Sequence, residues 1–191
     1  MRDYGVCYLI TYELLKIPGM GGLMTALGSF FINRGSEESR KKCIDFLIKR
    51  QNDFYNKKNF VKILVFPEGN TTNGKYITSF KKGVFVSLLP IKPLIVIPYE
   101  GFPCSTNRFF SFCRNVATFK NKIKYAELPV IKPTNYMFEK YKNLGKERWE
   151  IFANVVNKIY AEIGGFKQTT IRFRDKVLYY KIAEDGFFLD K

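Results

Sequence analysis

Apolar runs separated by polar turns divide this chain into segments of strand and helix length. Tyr8 to Lys16 reads as a short apolar helix stopped by Pro18 and Gly19, and Ser29 to Asn33 as a buried strand ending at Arg34. Ser36 has the side chain of an N-cap, and Glu37 and Glu38 behind it suit the positive end of a helix. The pairs Cys43/Leu47 and Ile44/Ile48, each at i,i+4 spacing, give that helix an apolar face as far as Tyr55. Lys62 to Phe66 is the next strand. After a Gly69 to Ser79 loop, Phe80 to Leu88 reads as a short helix and Pro93 to Tyr99 as a third apolar strand. Residues 101–121, with Pro103 and a cluster of phenylalanines, read as a loop with short helical turns. Lys122 to Leu128 alternates polar and apolar groups, as a more exposed strand does. Lys146 to Ile163 carries Trp149, Phe152, Val156, Ile159, Tyr160 and Ile163 at helical spacing, a core-facing stripe, and Gly164-Gly165 ends it.

The order strand, helix, strand, loop, helix, strand predicts an α/β fold, a mainly parallel sheet flanked by helices. With 191 residues, 46% of them apolar, the chain is long enough for one domain with a full core. No internal repeat and no composition break marks a boundary.

Charge narrows the partners. Against 17 acidic residues stand 32 Lys and Arg, a formal charge of +15, which favours nucleic acid, phospholipid headgroups or phosphorylated small molecules. Cys7, Cys43, Cys104 and Cys113 lack C-x-x-C spacing and there is no histidine, so no metal site is expected and the cysteines read as buried and reduced. A reducing, cytosol-facing location follows. The apolar run after Met1-Arg2-Asp3-Tyr4 is interrupted by Glu13 and Lys16, unlike a cleavable signal. The uncharged stretch from Ile17 to Asn33 is at the short limit for a bilayer span and is broken by Pro18 and four glycines, so it reads as core or membrane-surface contact.

Candidate chemistry gathers at Val65-Phe66-Pro67-Glu68-Gly69-Asn70-Thr71-Thr72-Asn73, followed by Phe80-Lys81-Lys82-Gly83. Here a carboxylate, a turn, hydroxyl and amide groups and then cations lie just past an apolar strand, where open α/β sheets place ligands. Pro67 fixes the backbone entering the turn and Gly69 permits close approach of a ligand. Taken alone, the Pro-Glu-Gly tripeptide reads as a turn whose Glu68 caps the following backbone. Lys81 and Lys82 either add positive field near a phosphate or solvate a helix start, and Thr71 is a turn residue or a ligand contact.

The longer context resembles the third sequence block of the glycerophospholipid acyltransferases, FPEGT-x-S or FPEGTCTN followed by FK-x-G. Three further pieces occur in the family's order. Gly28-Ser29-Phe30-Phe31-Ile32-Asn33-Arg34 resembles the second block, G-x-I-F-I-x-R; Leu94 to Pro98 resembles the fourth; Glu13 to Gly21 resembles the lead-in K-x-E-L-x-x-I-P-x-x-G. Asn70 to Asn73 and the later Glu127-Leu128-Pro129-Val130 are similar to the lysophosphatidylcholine acyltransferase branch and its glycerol-3-phosphate acyltransferase relatives.

The resemblance implies transfer of an acyl group from acyl-CoA, as co-substrate and with no cofactor, to a hydroxyl of a lysophospholipid or glycerol phosphate. It implies a glycerol-3-phosphate acyltransferase-like fold over residues 1–165, with 166–191 as a carboxy-terminal extension. Arg34 would bind the acceptor phosphate, which its guanidinium fork suits independently. Glu68 and Gly69 would shape the acceptor site, and Thr71, Lys81 and Gly83 complete the expected substrate-binding set. Lys140, Lys142, Lys146 and Arg148 fit acidic headgroups or the CoA phosphates. The expected location is a cytosol-facing membrane surface, that of the endoplasmic reticulum, and nucleic acid is not an expected partner.

The family's general base is a histidine held by an aspartate in an H-x-x-x-x-D block upstream of the second block. This chain has no histidine, so no catalytic residue is assigned. The expectation is an amino-terminally incomplete catalytic domain that is inactive alone. The alternatives are a lipid- or membrane-binding pseudoenzyme and, on charge and 17% aromatics only, a basic nucleic-acid-binding domain.

Overall fold

The computed structural model describes residues 6–12, 15, 19–33, 36–58, 61–69, 74–98, 117, 123–171, 175 and 178. The chain forms two compact units, each assembled from separated stretches of sequence: Met1–Pro67, Lys81–Leu89 and Lys132–Ala153 in the first, and Glu68–Phe80, Pro90–Ile131 and Asn154–Lys191 in the second.

The first unit is built on a three-stranded parallel sheet of β1 (Val6–Thr11), β2 (Phe30–Ile32) and β3 (Lys62–Leu64), in the order β2-β1-β3. Leu9 lies opposite Phe30 and Cys7 opposite Ile63. The expected helix at Tyr8 to Lys16 is therefore corrected: its first residues are the central strand. An apolar run of this length does not separate helix from buried strand by period. The β-branched and aromatic residues Val6, Tyr8 and Ile10, with a partner strand on each side, favour the extended chain. Residues 13, 14 and 16–18 lie outside the described residues. After them α1 (Met20–Ala26) is a short helix that ends at Gly28, whose φ of 66° only glycine adopts freely.

Helix α2 (Glu37–Tyr55) matches its expected bounds. The Ser36 hydroxyl accepts the Ser39 N–H at 3.2 Å, and Glu37 and Glu38 occupy the first turn. Its face of Cys43 and Leu47 is buried, and the helix packs on β2, β3 and a 3-10 turn at Lys82–Val84. That single turn replaces the longer helix expected over Phe80 to Leu88. Gly83 packs so closely that a Cβ there would come within 3.0 Å of Leu47 Cδ1. The Val84 carbonyl accepts a bond from Gln51 Nε2 at 3.0 Å, and Phe85, fully buried, sits edge-on to Phe152 at 5.4 Å. The helix α3 (Asn135–Lys140), capped by Thr134, and the first turns of α4 (Arg148–Gly164) complete this unit.

In the second unit β4 (Tyr76–Ile77) pairs in parallel with β7 (Lys167–Gln168), and β5 (Leu94–Pro98) pairs antiparallel with β6 (Ile123–Glu127). Tyr125 of β6 is 73% exposed, in line with the expected exposed strand. Ile77, Phe80, Ile95 and Val156 are buried, and Tyr160 lies edge-on to Phe80 at 5.4 Å. Burial pushes the Tyr160 phenol above its ordinary value, although its hydroxyl donates to the Leu94 carbonyl. Helix α4 ends at Gly165, with φ of 66°. Three of the four described strand pairings are parallel, so the α/β class stands, with an antiparallel pair that the element order did not predict. No helix among the described residues is long and apolar enough to cross a membrane.

Two measurements check this packing. Gly83→Val drives two methyl groups toward Leu47, and the expected loss is about 1–3 kcal/mol in urea unfolding. The buried Cys43 thiol is pushed up from 9.0 to about 11 by desolvation. The unfolded chain thus releases this proton at lower pH than the native one. The contribution is fully present below pH 9 and is lost as pH rises to about 11. Over that window the urea midpoint is expected to fall more steeply for the wild-type chain than for Cys43→Ala.

Candidate functional site

The second block flanks an open groove in the first unit. It has a volume of about 600 Å³ and is lined by Phe30, Phe31, Asn33, Ser36, Ser39 and Lys42, among others. Strand β2 delivers the phenylalanines, and Phe30 stacks on Phe46 of α2 at 4.3 Å, fixing the strand against the helix. The Asn33 N–H donates to Ser39 Oγ at 2.9 Å, which ties the end of the strand to the first turn of the helix. The groove therefore opens at the positive end of a 19-residue helix, a polar mouth over an aromatic floor. On its rim Lys42 pairs with Glu38 at 2.7 Å; the bond lowers the Glu38 pKa and raises that of Lys42, but both side chains are exposed and the pair adds little stability. Arg34, expected to bind phosphate, lies outside the described residues, between Asn33 and Ser36 in sequence.

The third block supplies a different geometry. Gly69 has φ of 60°, so the turn after Glu68 uses a conformation that other residues adopt at a cost. Glu68 is half-buried, and its Oε2 accepts two bonds from one residue, the Thr78 N–H at 2.9 Å and the Thr78 hydroxyl at 3.0 Å. Both belong to the second unit. The carboxylate is thus held by the residue that immediately follows the short strand Tyr76–Ile77. Thr71 lies outside the described residues.

In the first unit the Lys81 N–H donates to the Pro67 carbonyl at 2.8 Å, joining the end of the apolar strand segment to the start of the Lys81-Lys82-Gly83 segment. The two lysines then differ. Lys82 Nζ stands 3.6 Å from the Glu147 carboxylate and 5.2 Å over the Trp149 ring, while Trp149 Nε1 donates to the same carboxylate at 2.7 Å. Trp149 is accordingly half-buried and engaged at its polar edge, where the sequence predicted core. Lys81 is exposed, and its fixed contact is through the backbone. Gly83 packs on Leu47 and serves the core.

The predicted residues fall into pairs: Glu68 with Gly69 in the second unit, Lys81 with Gly83 in the first. Two polar residues that the sequence reading missed, Thr78 and Asn157, are buried in the second unit, where Asn157 Nδ2 donates to the Thr78 carbonyl at 2.9 Å. The available signal was Asn157 itself, a polar residue one turn after Ala153 on the inward side of an apolar helix. Elsewhere, Lys140 sits over both Tyr136 and Tyr141, and Arg148 over Phe138, so these cations are held on exposed or half-buried rings. Cys7 and Cys43 are buried and free; Cys104 and Cys113 lie outside the described residues. No group of metal-ligating residues occurs among the described residues.

A family model described as Acyltransferase matches residues 2–99. The lysophospholipid acyltransferases LPEAT2 and LPEAT1 of Arabidopsis thaliana are 30% and 27% identical to this chain, over 88% and 86% of its length. Human lysophosphatidylcholine acyltransferase 1 is 26% identical over 85%. The matches cover 30%, 41% and 30% of those proteins, so the chain spans between about three tenths and two fifths of the curated relatives it matches. No solved structure matches it. With the second and third blocks, the strands that present them and the family model in agreement over half its length, the protein belongs to the glycerophospholipid acyltransferase family.

Proposed function

We propose that this chain carries the acceptor-binding blocks of a lysophospholipid acyltransferase, acting with acyl-CoA as donor and a lysophospholipid or glycerol phosphate as acceptor. The observation that carries the reading is the Glu68 turn, a carboxylate fixed on Thr78 beside a left-handed glycine, in a chain of this family. In the reaction the acceptor hydroxyl oxygen attacks the thioester carbonyl carbon, a C–O bond forms, the C–S bond breaks, and CoA leaves as the thiol. The proton given up by the hydroxyl needs a base on its way to the leaving sulfur.

Arg34 binds the acceptor phosphate. Glu68 Oε1, on the carboxylate whose Oε2 is committed to Thr78, meets an acceptor hydroxyl or ammonium group. Gly69 shapes the acceptor site, Thr71 belongs to the same substrate-binding set, Lys81 contributes positive field, and Gly83 acts indirectly by seating the segment on α2. The three-stranded parallel sheet is compatible with a glycerol-3-phosphate acyltransferase-like domain. A charge of +15, with Lys140 and Arg148 held on aromatic rings, supports docking on an anionic membrane surface. Buried free Cys7 and Cys43 fit a cytosol-facing site at the endoplasmic reticulum.

A second reading, lipid binding without catalysis, is favoured by one fact: none of the 191 residues is a histidine. Both readings predict capture of lysophospholipid by this chain and no acyl transfer by it alone. Lysophosphatidate binding by the purified chain is expected to weaken about tenfold or more in Arg34→Ala, the loss of a charge-assisted phosphate contact. Unchanged binding would remove Arg34 from the phosphate site. Turnover of acyl-CoA by the wild-type chain, abolished by Glu68→Ala, would overturn the assignment of a missing base. Oligonucleotide binding with a steep salt slope and no preference for phospholipid would replace the lipid reading altogether.

A further inference from the structure

Thr78 and Asn157 are the two buried polar side chains among the described residues, 8% and 5% exposed, and they belong to one chain of hydrogen bonds that leads to Glu68. Gln168 Nε2 donates to Asn157 Oδ1 at 2.7 Å, and Asn157 Nδ2 donates to the Thr78 carbonyl at 2.9 Å. The Thr78 N–H and hydroxyl then donate to Glu68 Oε2 at 2.9 and 3.0 Å. Every donor points toward the carboxylate. With both ends of its amide bonded, Asn157 has only one orientation that satisfies Gln168 and Thr78 together.

Burial makes this arrangement informative. A polar side chain removed from water is destabilising unless bonded, and an apolar residue would fill position 78 or 157 at lower cost if packing were the whole requirement. Neighbouring pairing does not need these side chains, because β4 and β7 are already joined through the backbone, by Lys167 N–H to the Lys75 carbonyl at 2.9 Å and Thr169 N–H to the Ile77 carbonyl at 3.1 Å. What the side chains add is a fixed position for one oxygen of Glu68.

We propose that Thr78 and Asn157 are positioning residues for lysophospholipid capture: the relay Gln168–Asn157–Thr78 clamps Glu68 Oε2 and thereby aims the rest of the carboxylate at the acceptor. The proposal rests on the reading that Glu68 belongs to the acceptor site. Thr78→Val keeps the shape and loses the hydroxyl; Thr78→Ser restores the hydroxyl; Asn157→Leu removes the donor to Thr78.

The test measures two quantities on the whole chain, its affinity for monomeric short-chain lysophosphatidate and, without ligand, amide hydrogen exchange over residues 75–80 with α2 as internal reference. Thr78→Val is expected to weaken binding about tenfold, Thr78→Ser to recover it, and Thr78→Val to add nothing on top of Glu68→Ala, because both break one interaction. Exchange over 75–80 is expected to rise in Thr78→Val and Asn157→Leu while α2 stays protected. Wild-type affinity in Thr78→Val, with Glu68→Ala impaired, would overturn the positioning role. If Glu68→Ala itself binds normally, the acceptor-site reading fails, and exchange then judges the relay alone: faster exchange in Thr78→Val supports it as the brace of the turn, unchanged exchange overturns it. Should Asn157→Leu fail to fold, the Thr78→Val and Thr78→Ser pair still decides the matter.

Discussion

A carboxylate that leaves water needs donors, and Glu68 takes two of them from a single residue ten positions later. Because both bonds come from Thr78, the Glu68 turn and the residue that leaves β4 must be placed together or not at all. Placing β4 in turn requires β7, which follows the end of α4, and the Asn157 amide of that helix reaches the Thr78 carbonyl. A side-chain contact local in sequence is thus conditional on a helix nearly eighty residues away. Within the first unit a second closure, Lys81 N–H to the Pro67 carbonyl, joins the two ends of the intervening segment. Closing a loop of this size costs little more than closing a shorter one, so a few well-placed bonds are enough to hold it.

Legibility followed the range of the interactions. Helix α2 was readable to the residue because its cap, its acidic first turn and its i,i+4 face are all local. The third block was readable because its residues are contiguous and their identities unusual. Strand β1 was misread: a buried run carries no period, and only its partners on both sides, β2 and β3, distinguish strand from helix. The two-residue strands β4 and β7 left no pattern, and the antiparallel β5–β6 pairing is a long-range choice. Thr78 went unnoticed for the same reason. Its significance comes from Glu68 and Asn157, neither adjacent to it in sequence.

The excess of positive charge illustrates the limits of composition. Of the two adjacent lysines in the third block's second element, Lys82 is taken up by Glu147 and the Trp149 ring, whereas Lys81 is exposed and contributes its backbone N–H to the fold. Net charge fixes the long-range attraction for an anionic surface, but local partners decide which cation remains to meet a phosphate. An exposed pair such as Glu38–Lys42 shows the converse, a close contact that changes the field at the groove rim with little effect on stability.

Without histidine, the remaining question is whether another side chain of the first unit can act as a nucleophile and carry the acyl group covalently. A thiol is the natural candidate, since a thioester would exchange with a thiolate. Cys43 does not serve: burial pushes its thiol up to about 11, which leaves about one molecule in ten thousand as thiolate at pH 7. Cys7 is completely buried in the central strand, where no thioester reaches it without opening the sheet. Both sulfurs therefore act as small apolar groups. Glu68, for its part, has one oxygen bound to two donors, a geometry suited to orienting a ligand. The proton that acyl transfer must remove therefore has no histidine to receive it among these 191 residues, and neither buried thiol nor the Thr78-bound oxygen of Glu68 takes the place of one.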